Sequence, residues 1–86
     1  MDRIIVTIKA DHYKQDYDME LPLDQKADGL IYDIAVSMEG VDPSLWFDPE
    51  KCELRNERTG RWIDREKTLE EGGVWNGDVL RVHAKR

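Results

Sequence analysis

Thr68-Leu69-Glu70-Glu71-Gly72-Gly73-Val74-Trp75-Asn76-Gly77-Asp78-Val79-Leu80-Arg81-Val82 is the stretch that decides how this chain folds. Thr68 to Glu71 reads as one helical turn, a hydroxyl first and an acid three residues on. Gly72-Gly73 stops that turn. Asn76-Gly77-Asp78 is turn chemistry, because Asn and Gly accept positive φ at low cost. Val79 to His83 then alternates as a short strand. A final strand this apolar belongs inside a sheet made earlier, so the preceding residues are read as what it returns to.

Arg3 to Ala10 predicts the first strand, with Ile4, Val6 and Ile8 on one face and Arg3, Ile5, Thr7 and Lys9 on the other. Asp11 to Gln15 reads as a turn. Asp16 to Leu23 predicts a second strand with Tyr17, Met19, Leu21 and Leu23 inward, which makes an antiparallel hairpin. Pro22 cannot donate to a ladder, so it belongs near the strand's end or on an unpaired side. Asp24 is the expected N-cap of the one long helix. Ala27, Leu30, Ile31, Ile34, Ala35 and Met38 form a single apolar stripe along it. Gly29 suggests close packing against the sheet, and Gly40 is expected to end the helix ahead of Pro43. Leu45-Trp46-Phe47 sits in an irregular loop. Lys51 to Asn56 predicts a third strand with Cys52 and Leu54 inward. A turn at Glu57–Gly60 leads to a short fourth strand, Arg61-Trp62-Ile63, with Trp62 filling the core.

The chain therefore runs strand, strand, helix, strand, short strand, short turn, strand. The turn before the last strand prevents a simple hairpin with the fourth. Its natural slot lies beside the first strand, parallel to it. This order is an α+β β-grasp, a mixed four- to five-stranded sheet with one helix across one face.

The 86 residues bound the chain to one small domain, 1–86, too small for both a scaffold and an elaborate active site. No apolar run approaches the ~20 residues of a membrane span, and no signal sequence is legible at the start. A single cysteine, Cys52, excludes an internal disulfide and suits a reducing compartment, so a cytoplasmic location is expected. Residues 1–50 carry twelve acids and four bases, a net charge of −8, whereas residues 51–86 carry seven acids and nine bases, a net of +2. Such a balance suits an oriented protein partner and argues against nucleic acid. His12, His83 and Cys52 show no metal-ligand spacing, and no phosphate-cradling loop precedes a helix, so no metal or cofactor is expected. The many carboxylates fall on solvated faces, which leaves acid–base catalysis without a source for its pKa shift.

With these residues in place, the chain resembles a ubiquitin-like protein over nearly all its length. Ubiquitin shares the Thr-Leu turn and the last strand. The Gly73-Val74-x-Asn76-Gly77-Asp78 wording is more similar to the YukD/EsaB-type small proteins of Gram-positive type VII (WXG100) secretion. Leu30-Ile31-Tyr32-Asp33-Ile34-Ala35 and the opening Ile4-x-Val6-Thr7-Ile8 strand are similar to theirs as well. The resemblance implies a cytoplasmic, non-enzymatic accessory working with an ATPase-containing secretion complex in the membrane. A second reading stays open, a small ubiquitin-like subunit of a multicomponent enzyme such as a bacterial diiron monooxygenase. Ubiquitin's conjugation needs a flexible Gly-Gly tail. Here Gly72-Gly73 is internal and the sequence closes His83-Ala84-Lys85-Arg86, so conjugation is not expected.

Binding residues are expected in two places. Arg55, Arg81 and His83 should point outward from the sheet, with Ile5 as an apolar spot on the same face. Ubiquitin uses this region as an apolar recognition patch, and the charges here should turn its receptors away. A basic strip could instead meet an acidic protein. Trp46, Phe47 and Trp75 lie in loops, where an exposed aromatic suits an interface anchor. An open sheet edge also leaves room for a homodimer.

Overall fold

The computed structural model describes residues 3–11, 13–44 and 47–84. Five strands carry the sheet: β1 Arg3–Ala10, β2 Tyr17–Pro22, β3 Cys52–Asn56, β4 Arg61–Trp62 and β5 Val79–Ala84. Helix α1 spans Ala27–Val41, and a 3-10 turn at Pro49–Lys51 precedes β3. The sheet order is β2-β1-β5-β3-β4. β5 lies parallel to β1, with Thr7 opposite Val79 and Ala10 opposite Val82. Its other side is antiparallel to β3, with Leu54 opposite Val82 and Asn56 opposite Leu80. The last strand is thus the centre of the sheet, as the Thr68–Val82 stretch predicts.

Period two places Ile4, Val6, Ile8, Leu54, Leu80 and Val82 on the helix side, all buried. The six residues of the predicted helical stripe, Ala27, Leu30, Ile31, Ile34, Ala35 and Met38, are the buried residues of α1. Leu69 and Val74, from the turn segment, close the core at one end. Pro22 ends β2, an edge strand, where its missing N–H costs no ladder bond.

The helix ends differ from expectation. The residue before α1 is Lys26, not Asp24, and no side chain caps it. Backbone does so instead: Ala27 N donates to Lys67 O and Asp28 N to Arg65 O, both at 2.9 Å. These bonds satisfy two of the amides that an isolated helix leaves open. Arg65 secures the same junction, its Nε 2.8 Å from Asp28 and its Nη1 on the carbonyls of Pro49 and Cys52. A cap supplied from some forty residues away leaves no local signature, which is why Asp24 looked the better candidate. Gly40 does not end the helix either. α1 continues through Val41, and Asp42 closes it by returning its amide to Met38 O and accepting Tyr13 Oη at 2.7 Å. Gly29 does not touch the sheet; a Cβ there would meet the Gln25 side chain at 2.9 Å.

Trp62 is the other correction. It is 53% exposed, on the face away from the helix. Ile63 is buried, so the residue before it must point outward; the core-filling expectation overlooked that alternation.

Candidate functional site

The Asn76-Gly77-Asp78 turn explains its own residue types. Asn76 Oδ1 accepts Ile5 N at 2.8 Å, and Gly77 N donates to Ile5 O at 2.7 Å. Together they extend the sheet for β1 just before β5 begins. Gly77 has φ of +88° and Gly73 has φ of +72°, conformations that disfavour a Cβ. A Gly77→Ala chain is therefore expected to lose about 1–2 kcal/mol, read as a lower urea midpoint with unchanged slope. Gly72 and Gly73 are held in the turn, their amides on Thr68 O and Glu70 O.

Asp78 is the hub of this end of the molecule. Only 5% exposed, its carboxylate accepts Trp75 N, Asn56 Nδ2, and both Nε and Nη2 of Arg58, all at 2.7–3.0 Å. Burial alone would raise its pKa. The Arg58 pair, the Trp75 amide and Asn56 outweigh that and hold the carboxyl below the usual carboxylate range. Arg58 also donates to Gly73 O, and its guanidinium lies 3.7 Å from the Trp75 ring centroid. Trp75 is therefore 64% exposed yet fixed from below by a cation–π contact. Ile5, 52% exposed, lies on the outer face where β1 meets this turn.

Farther along the same face, Arg55, Arg81 and His83 point outward as the alternation requires. They do not form a free basic strip. Arg81 pairs with Glu57 through Nε and reaches Asp11 through Nη1 at 3.5 Å. The Arg81 hydrogen bond in turn keeps the Glu57 carboxyl below its ordinary value, against a smaller opposing effect of burial. His83 Nδ1 lies 2.8 Å from Asp11. Arg55 donates to Gly60 O and sits 5.8 Å from the Trp62 centroid. His83 meets the Trp62 ring edge-on at 5.0 Å. The outstanding feature is thus an exposed indole framed by side chains that already have partners. Sequence reasoning missed Trp62, although its place directly before the inward Ile63 carried the signal.

Phe47 is half-buried against the core cluster rather than free in a loop. Trp46 lies outside the described residues. Cys52 is buried, and burial pushes its thiol pKa up, which opposes nucleophilic use. Among the described residues, no group of three or more His, Cys, Asp or Glu side chains is placed to hold a metal ion. No helix among them is long and apolar enough to cross a membrane.

One helix across a mixed five-stranded sheet in this order defines a ubiquitin-like β-grasp protein. The ubiquitin-like domain of an Arabidopsis thaliana protein superposes with a TM-score of 0.76 at 18% identity, covering 100% of this chain and 81% of that one. Caldiarchaeum subterraneum ubiquitin gives 0.74 at 15% identity, covering 98% of this chain and 95% of its own. A designed protein based on ubiquitin gives 0.75 at 16% identity, with 96% and 89% covered. No curated protein sequence matches. The chain belongs to the YukD family, described as the protein YukD of the WXG100 protein secretion system (Wss), whose model matches residues 3–82. That family ties it to WXG100 secretion. The motif behind the resemblance is the turn that holds Asp78.

Proposed function

We propose that this protein is a non-catalytic, cytoplasmic accessory of a WXG100 secretion system that works by docking onto another protein of the machinery. Family membership supports the pathway. The observation that carries the docking mode is the outer sheet face, where Trp62 is exposed, Arg81 is ion-paired with Glu57, His83 lies against Asp11, and Arg55 is held by the Gly60 carbonyl. An aromatic ring held by neighbours loses little side-chain entropy on binding, which suits it as an anchor. Arg55, His83 and Arg81 frame the anchor; Trp75 and Ile5 form a second apolar spot at the other end of the same face.

Affinity purification of the tagged chain from the cell that encodes it, read by mass spectrometry, tests the pathway. WXG100 proteins and an FtsK-like ATPase are the expected co-purifying species. Diiron oxygenase subunits in their place would establish the other reading. Trp62→Ala should weaken capture at least tenfold without loss of fold, since the ring is 53% exposed and lies outside the hydrophobic core. Undiminished capture by that variant would remove Trp62 from the interface. It is a cleaner probe than reversing Arg81, which would strand Glu57 and Asp11.

A further inference from the structure

The free edge of β2 is built to receive another strand. Ile5 spends its N–H and C=O on Asn76 and Gly77, and Thr7 N donates to Asp78 O, so these β1 residues face away from β2. Their partners in the hairpin register are Glu20 and Asp18. In an antiparallel ladder the backbone of a non-bonded pair points outward from both strands. Asp18 and Glu20 therefore turn their main-chain groups to the outside of the sheet. β2 has no neighbour on that side. Among the described residues the one contact there is Arg3 Nη2, 3.4 Å from Glu20 O.

Beside this edge runs a groove of about 370 Å³ between β2 and α1. Met19, Glu20, Leu21 and Pro22 line it from the strand, Asp33 and Ser37 from the helix, and Gln25 from the link between them. Arg3 also lines it, but its guanidinium is engaged by Glu20. A strand added here would turn alternate side chains into the groove beside Met19 and Leu21. The others would lie on the outer face beside Asp18 and Glu20.

We infer that this edge binds an extended segment of a partner protein that alternates apolar and basic residues, by adding it to the sheet as a sixth strand. The charge around the site selects the partner. Glu20 and Asp33 line the groove with Arg3 as the one basic residue among its described lining, and Asp18 stands two residues from Glu20 on the same strand face, in a half of the chain whose net charge is −8. A second copy of this chain fits poorly, because pairing β2 with β2 would bring Asp18 and Glu20 of both copies together on one face, and like charges across strands destabilise. The edge lies beyond β1 from Trp62, so this inference does not depend on which protein the outer face docks.

An N-acetylated, C-amidated heptapeptide of alternating lysine and valine, titrated into the isotope-labelled chain by amide NMR, is the test. Shifts centred on Asp18 to Leu21 are expected, with slowed hydrogen exchange at the Asp18 and Glu20 amides. N-methylation of one alternate set of peptide amides should weaken binding at least tenfold, and of the other set little, because an added strand offers one edge to β2. Glu20→Pro should remove the outward donor while leaving the β1 ladder intact, and weaken binding equally. Three results would overturn the inference: equal binding of a block-ordered peptide of the same composition, which means charge attraction alone; equal effects of the two methylation patterns; or concentration-dependent self-association through β2 without peptide.

Discussion

Asp78→Ala is expected to lower the stability of the chain by about 2–4 kcal/mol, because it breaks a part-buried arginine pair and leaves two further donors, one of them buried, without their acceptor. Trp75 N and Asn56 Nδ2 lose their acceptor, and Arg58 loses both of its bonds to the carboxylate. The Arg58 side chain is 35% exposed, so water takes back part of its loss, which keeps the figure below that of a fully buried pair. Urea unfolding at pH 7 reads the effect. Tryptophan emission should shift as well, since Arg58 is freed from beneath Trp75.

The same carboxylate sets an acid limit. Its folded pKa is depressed, so its contribution is fully present above the unfolded value near pH 4 and is lost as pH falls through the lower folded value. Asp78→Asn should therefore cost most at neutral pH, and the difference from the parent chain should shrink toward pH 2. A difference that stays constant with pH would mean that shape, not charge, is what the hub requires.

Leu80→Ala is expected to cost about 2–5 kcal/mol, the range for removing a large buried aliphatic side chain without collapse of the site. Leu80 is fully buried on the central strand, opposite Ile8 of β1 and Asn56 of β3. Neighbouring strands on both sides restrain the backbone from closing the cavity. A loss below about 0.5 kcal/mol would contradict the central placement of β5, because surface positions give values of that size.

What the sequence made legible follows from how local each cause is. β1 is read to the residue, because five consecutive β-branched residues, Ile4 to Ile8, favour a strand whose faces alternate in burial without a break. The buried face of α1 follows from its own spacing. β5 could be placed beside β1 because the turn before it rules out a hairpin with β4. The helix start was not legible, since Arg65 and Lys67 supply its caps from a distant loop. Asp78 was read as a turn former; its role as a buried hub depends on Asn56 and Arg58 arriving from the β3 end. At the candidate site, the outward direction of Arg55, Arg81 and His83 was a matter of parity and could be read. The pairing of Arg81 with Glu57 and Asp11, and of His83 with Asp11, could not, because it depends on which loops end beside β5.

The parallel pairing of β1 with β5 also dictates how the chain must reach its folded state. Thr7 and Val79 are separated by roughly seventy residues, and a loop that long must close before the central ladder gives anything back. The β1–β2 hairpin and α1 can fluctuate into shape early, yet neither can bury its apolar face until β5 arrives. Such a search makes the protein a slower two-state folder than helical bundles, in the intermediate range of mixed helix-and-sheet domains. Until β5 docks, β1 and β3 each carry an open apolar edge, so the partly folded chain is the species most exposed to aggregation.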